Sequence, residues 1–295
     1  MKFIPQIFLT LLLGAGTLPV MAQAIPDTEI FLVSLKTKQQ DVQVGKPMNV
    51  SQRSGYDNQP SFTPDGKSVL YTSQRDGKQT DIYQYLLKKE KTVQLSNTPE
   101  NEYSPLVTPD RKSFSVVRGK EQDLWTFPLK PNSEQPKLLL DFSQLVGYHV
   151  WYNQDSLLIA AFPDKPPMAL YLTKPGEGEG VVLEPSIGRS LQKVPWQPAI
   201  SYVVPLSDSV SVIRQWNMRT SQSELLIEGL AGSQDVAWFP DGRLLMAQGT
   251  KLYVCRPGTG AQWKEVADLA SAGIMGITRL AVSPKGDYLA FVANQ

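Results

Sequence analysis

The chain has 295 residues, with 29 Lys and Arg against 28 Asp and Glu, one His and one Cys. Its 41% hydrophobic and 19% charged residues are the composition of a folded globular protein. One Cys excludes an internal disulfide framework and cysteine-built metal sites, and one His excludes multi-histidine centres. A net charge of +1 with no basic run argues against nucleic acid as a partner.

The chain opens with Lys2, an apolar stretch from Ile4 to Val20, and Ala22-Gln23-Ala24, a small-x-small cleavage pattern. This layout predicts a secretory signal peptide over residues 1–24. Pro5, Gly14, Gly16 and Pro19 interrupt the stretch, whereas a membrane span needs about 20 apolar residues. No Cys stands near the cleavage point, so no lipid anchor is expected. Loss of Lys2 with the leader leaves 28 basic against 28 acidic residues. The expected product is one domain, residues 25–295, periplasmic or secreted, with no membrane insertion after cleavage.

A repeat runs through that product. Pro64-Asp65-Gly66-Lys67, Pro109-Asp110-Arg111-Lys112, Pro240-Asp241-Gly242-Arg243 and Pro284-Lys285-Gly286-Asp287 are variants of one turn. In it Pro presets φ, Asp bonds its own backbone and Gly supplies positive φ. The gaps between prolines are 45, 131 and 44, and the middle one is close to three periods. Asn153-Gln154-Asp155 fits the third unit, and Val194-Pro195-Trp196-Gln197-Pro198 marks an eroded fourth, giving six units.

Each unit has an apolar strand before the turn and another after it, as in Val236-Ala237-Trp238-Phe239 and Ser68-Val69-Leu70-Tyr71-Thr72. A third strand carries an apolar–aromatic pair: Ile82-Tyr83, Leu124-Trp125, Leu170-Tyr171, Leu252-Tyr253 and, less cleanly, Gln215-Trp216. A fourth closes the unit, as in Lys137-Leu138-Leu139-Leu140. Four short strands repeated every 40–45 residues predict an all-β propeller of six blades. The sixth unit stops at Ala293-Asn294-Gln295 after two strands. Two unassigned strands stand near the start, Glu29 to Leu35 and Asp41 to Val44, and Ile30-Phe31 is the missing pair. These N-terminal strands are predicted to complete the last blade and close the ring.

The stretch from Tyr56 through Gln59-Pro60-Ser61-Phe62-Thr63-Pro64-Asp65-Gly66-Lys67 to Thr80-Asp81-Ile82-Tyr83 resembles a TolB-like propeller repeat, of the WD-repeat-like kind. Asn101 to Trp125 is similar, and the resemblance extends along residues 25–295. It implies the propeller fold without fixing a function, because related repeats serve scaffolds, peptidase gating domains and enzymes. TolB carries an α/β domain before its propeller, and none is expected here. Nor is an α/β-hydrolase domain of the kind found in propeller-bearing peptidases.

Candidate chemistry is sparse. A serine triad would have to use His149, and no Gly-x-Ser-x-Gly elbow occurs; His149 is read as packed or bonded near a loop. Cys255 follows Tyr253 by two on a predicted strand and is read as a small buried hydrophobe. Asp65, Asp110 and Asp241 recur once per blade, as turn residues do, and are too far apart around a ring to share an ion. Gly176-Glu177-Gly178-Glu179-Gly180 is read as a hairpin tip, because it lacks the Lys and helix of a phosphate loop. No cofactor and no metal are expected.

The segments entering each blade share one face of a propeller, and ligands commonly bind there. The residues proposed for that rim are Tyr56, Asp57, Asn58, Glu102, Tyr103, Tyr148, His149, Trp196, Asp235 and Arg279. Aromatic bodies with polar tips suit a peptide or sugar-like ligand, or an envelope protein. The preferred reading is an exported non-enzymatic binding module. The alternatives are a lactonase- or lyase-like propeller enzyme with a channel metal, and a carbohydrate-binding or sensing module stacking sugars on Trp151 and Trp196.

Overall fold

The computed structural model describes residues 26–39, 41–75, 77–131, 133–163 and 167–294, so the leader expected over residues 1–24 lies outside the described residues. Six antiparallel sheets follow one another as the blades of a β-propeller. Blade 1 consists of Asp57–Phe62, Ser68–Ser73, Asp81–Leu86 and Lys91–Gln94, and blade 2 of Glu102–Val107, Ser113–Arg118, Asp123–Pro128 and Lys137–Leu140. Blade 3 consists of Leu145–Asn153, Ser156–Phe162, Met168–Thr173 and Val181–Ile187. Blade 4 is built from Leu191–Lys193, Ala199–Pro205, Ser211–Asn217 and Gln222–Glu228, and blade 5 from Val236–Trp238, Leu244–Gln248, Lys251–Cys255 and Lys264–Asp268. Among the described residues no helix is long and apolar enough to cross a membrane.

Blade 6 joins the two ends of the chain, as the sequence predicts. Met275–Val282 and Tyr288–Asn294 form its inner half, and Glu29–Lys38 and Asp41–Val44 its outer half. Ile30 pairs with Val292 and Phe31 with Phe291, whose rings stack with centroids 5.5 Å apart. Met48–Asn49 adds a short fifth strand beside Phe31 and Leu32.

The core lies between blades rather than at the centre of the ring. Apolar side chains alternate along each strand, so each blade offers one face to the blade before it and one to the blade after. Six buried clusters fill the six gaps. Leu70 and Ile82 meet Phe114 and Phe127 between blades 1 and 2, and Ile30 and Leu32 meet Val69 and Tyr71 between blades 6 and 1. Phe31, Val33 and Leu35 meet Phe239, Leu245 and Val254 between blades 6 and 5. The N-terminal strand therefore supplies both faces of the closing blade.

The repeated turn joins the first and second strands of the blades. Thr63, Thr108, Val194, Phe239 and Ser283 each donate a backbone N–H across it, to Ser68, Ser113, Ala199, Arg243 and Tyr288 in turn. The Asp65 carboxylate accepts from Thr63 Oγ1 at 2.7 Å and from Lys67 N at 3.0 Å, and Asp110 does the same with Thr108 and Lys112. The hydrogen bonds from Thr108 and the Lys112 backbone hold Asp110 below the usual carboxylate range. These carboxylates are engaged by their own turns. Gly66, Gly242 and Gly286 take left-handed φ values of 68–85°, but the second copy puts Arg111 there at 61°.

Candidate functional site

The first strands of all six blades enclose a central cavity of about 300 Å³. In blades 1, 2 and 6 that strand contains a bulge where a non-glycine residue takes left-handed φ: Gln59 at 55°, Ser104 at 54° and Arg279 at 51°. A bulge bends its strand and re-aims a side chain, and all three residues line the cavity. Gln59 bridges blades, its Oε1 accepting from Ser104 N at 2.8 Å and from Thr72 Oγ1 at 3.1 Å.

Charge concentrates on the side formed by blades 4, 5 and 6. Arg189 donates through Nε to Asp235 Oδ1 at 2.9 Å and through Nη2 to Oδ2, a two-point pairing. Arg279 stands 3.8 Å from Asp235, donates Nη2 to the Tyr148 hydroxyl at 2.9 Å and lies over the Tyr148 ring. Burial works to raise Asp235, but the Arg189 hydrogen bond and charge, with Arg279 behind them, hold its carboxyl below the usual range. Tyr56 is pushed up to about 12, chiefly by burial, and feels Arg279, Tyr148, Tyr103 and Arg189 around it. At neutral pH it is therefore a neutral hydroxyl among guanidiniums.

Of the residues proposed from sequence, Tyr148, His149, Asp235 and Arg279 line the cavity, and Tyr56 lies within electrostatic reach of Arg279, Tyr148 and Tyr103. The other four lie elsewhere. Asp57 and Glu102 are fully buried at the joints between blades. Asp57 pairs with Arg53 at 3.2 Å, and Glu102 accepts from Ser96 and Thr98. Burial pushes Glu102 up to about 7. Asn58 is buried beside Thr28. Trp196 sits in the turn between the first two strands of blade 4, at the opposite end of those strands from the rim. There it takes a φ of 61°, donates Nε1 to the Pro240 carbonyl at 2.6 Å and is 90% exposed. The eroded fourth turn conceals this from a reading by repeats, because Pro195-Trp196 is itself the turn.

Arg189, Gln59 and Ser104 belong to the site and are missing from the rim residues proposed above. A spacing signal marks the place: Gln59, Ser104, Asp235 and Arg279 each stand five residues before a turn proline. The same count from Pro195 reaches Ser190, next to Arg189.

His149 and Ser115 invite a catalytic reading, with Nε2 and Oγ 2.7 Å apart. Their surroundings oppose it. Ser115 is fully buried, accepts from Trp151 Nε1 at 2.9 Å and lies within bonding distance of the Leu106 carbonyl. Burial pushes His149 down to about 3, which makes it a weak base, and among the described residues its Nδ1 has no partner to orient it. Blades 4 and 5 repeat the arrangement without a histidine, where Trp238 Nε1 donates to Ser201 Oγ at 2.8 Å. The motif is a latch between blades, and His149 is an addition to one copy. Cys255 is buried, with its thiol raised by burial. Among the described residues no three His, Cys, Asp or Glu side chains gather as a metal-binding group.

No protein-family model matches the chain, and no curated protein matches it. Solved structures do. A putative TolB from Agrobacterium tumefaciens superposes with a TM-score of 0.65 at 15% identity, over 90% of this chain and 98% of that one. TolB from Acinetobacter baumannii gives 0.55 at 13% identity over 92% of this chain, which spans 64% of that protein. An oligogalacturonate lyase from Vibrio parahaemolyticus gives 0.51 at 14%, over 92% of this chain and 98% of that one. At these identities the likeness establishes the TolB-like propeller fold, which an enzyme shares.

Proposed function

We propose that this chain is an exported, non-enzymatic binding module of the cell envelope that takes a protein or ligand at the mouth of its central cavity. The observation that carries the reading is the pairing of Tyr148 with Arg279 at the cavity, with Tyr56 within electrostatic reach of both and of Tyr103. Tyrosine and arginine dominate the energetics of recognition surfaces, because each combines a large rigid body with a directed polar end. The leader-like residues 1–24 and the TolB-like fold support export and an envelope role. The test is affinity capture from an envelope extract with wild type, Tyr148→Phe, Arg279→Gln and, as a control on the outer edge of blade 1, Lys89→Ala. Capture should fall several-fold for the first two variants and stay unchanged for the third. Equal capture by all four would remove the rim from the reading, and Met1 at the N-terminus of the exported protein would remove the cleaved leader.

A second reading is a propeller enzyme, favoured by the near-complete overlap with the Vibrio lyase. Metal analysis of the purified protein separates the two. A stoichiometric ion whose removal abolishes a measured activity supports the enzyme.

A further inference from the structure

The geometry points to a ligand class for the cavity: a small amphipathic monoanion, its carboxylate on Arg279 and its apolar body among the first strands. This inference rests on the binding-module reading. It begins from a charge count. Two guanidiniums, Arg189 and Arg279, share a single carboxylate, Asp235. Arg189 occupies that carboxylate at two points, whereas the Arg279 backbone N–H bonds it but the Arg279 guanidinium reaches it only at 3.8 Å and otherwise bonds a neutral phenol. The Arg279 side chain is only 17% exposed, so a cation largely removed from water lacks a hydrogen-bonded counter-charge. A bound anion supplies one.

The same count sets the charge of the ligand. One excess positive charge matches a monoanion, whereas a dianion such as phosphate would leave a negative charge uncompensated beside the ionised Asp235. The planar guanidinium fork fits the two oxygens of a carboxylate. The remaining wall can hold an apolar body, because the half-buried Phe62, Leu106, Trp238 and Val282 line the cavity, beside polar Gln59 and Gln192. A volume of about 300 Å³ is at the small end of ligand pockets, room for roughly ten waters at about 30 Å³ each. The chemistry is shared by a free short-chain or acylated acid and by the apolar C-terminal residue of a peptide.

Calorimetric titration of the exported protein at about pH 8, where inorganic phosphate is chiefly the dianion, tests this with five probes: hexanoate, N-acetyl-leucine, the tetrapeptide Ala-Ala-Ala-Leu, N-acetyl-leucinamide and inorganic phosphate. N-acetyl-leucine should bind at least tenfold more tightly than its amide, and phosphate should not compete with it. Arg279→Gln should lose tenfold or more, Arg279→Lys should recover part of that loss, and Tyr148→Phe should weaken binding several-fold while removing only a hydroxyl. Binding of hexanoate and N-acetyl-leucine without the tetrapeptide supports a free acid as occupant, and binding of all three supports a chain end. Equal binding of acid and amide, undiminished binding by both Arg279→Gln and Tyr148→Phe, or displacement by phosphate overturns the assignment. Failure of every acid also overturns it, while capture of an envelope protein stands or falls on its own assay.

Discussion

Ser115→Ala separates a structural latch from a catalytic pair. The substitution removes one hydroxyl from a fully buried position and leaves two groups stranded, Trp151 Nε1–H and His149 Nε2. A buried polar group without its partner costs about 1–3 kcal/mol, so the loss should reach about 3–4 kcal/mol. In a domain of this size that corresponds to a melting temperature lower by roughly 5–10 °C. Ser201→Ala is the matched control, because its hydroxyl receives Trp238 Nε1 and no histidine. It should cost about 1–2 kcal/mol. Chemical denaturation of both variants, followed by tryptophan fluorescence, reads the two losses directly. A Ser115→Ala, Trp151→Phe double-mutant cycle then measures the coupling, expected to be on the order of 1 kcal/mol. If Ser115→Ala is no more destabilising than Ser201→Ala, the latch argument for His149 fails and the pair needs another explanation.

Deleting residues 25–44 strips blade 6 of Ile30, Phe31, Leu32, Val33, Leu35 and Val42, all buried. At about 2 kcal/mol for each side chain the loss matches the whole stability of a typical domain, so circular dichroism should show no cooperative melt; a truncated protein melting like the full chain would disprove closure. Arg111→Gly should stabilise by about 1 kcal/mol, since Arg111 holds a left-handed φ of 61° where three other copies of the turn have glycine; an unchanged denaturation midpoint would contradict the strain. Glu102, pushed up to about 7 from 4.5, binds a proton in the folded state that the unfolded chain has released. Its contribution is fully present below about pH 4.5 and is lost as pH rises through 7, so Glu102→Gln should flatten a decline in melting temperature between pH 5 and 8. His149, pushed down to about 3 from 6.5, works in the opposite sense. Stability falls as pH drops below 6.5, and His149→Gln should remove that part of the acid sensitivity.

The fold was far more legible than the site. Pro-Asp-Gly turns, apolar–aromatic pairs and complementary chain ends are local signals, and each corresponds to an observed strand or turn. Ile30-Phe31 is a third strand opposite Val292 and Phe291, as its pairing with the unfinished last repeat requires. The rim depends on non-local geometry. Gln59, Ser104 and Arg279 reach the cavity through bulges with left-handed backbone, and nothing in an Asn-Gln-Pro, Tyr-Ser-Pro or Thr-Arg-Leu sequence announces one. Asp57 and Glu102 sit one and two residues from rim tyrosines or bulge residues, yet face the blade joints. Strand alternation inverts the destination of a side chain with each residue, so a register uncertain by one misplaces it. Arg189 escaped because the fourth turn, Pro195-Trp196, lacks the Pro-Asp-Gly signature, and the count of five from its proline falls one residue away, on Ser190.

The seam in blade 6 also bears on how the molecule is made. Glu29–Lys38 leaves the ribosome early, and its partner Tyr288–Asn294 only after every intervening blade. At about 5–20 residues per second the wait lasts some tens of seconds. Throughout it Ile30-Phe31-Leu32-Val33, uncharged and β-prone, keeps the edge that faces Tyr288–Asn294 unpaired, with only the two-residue strand Met48–Asn49 beside Phe31 and Leu32. Segments of this composition join other chains readily when their edges are free. Repeat arrays whose neighbouring units are contiguous avoid that interval. Here the yield of active protein should depend on how the nascent chain is shielded, and mutations that shorten or polarise this strand should trade aggregation during synthesis against stability afterwards.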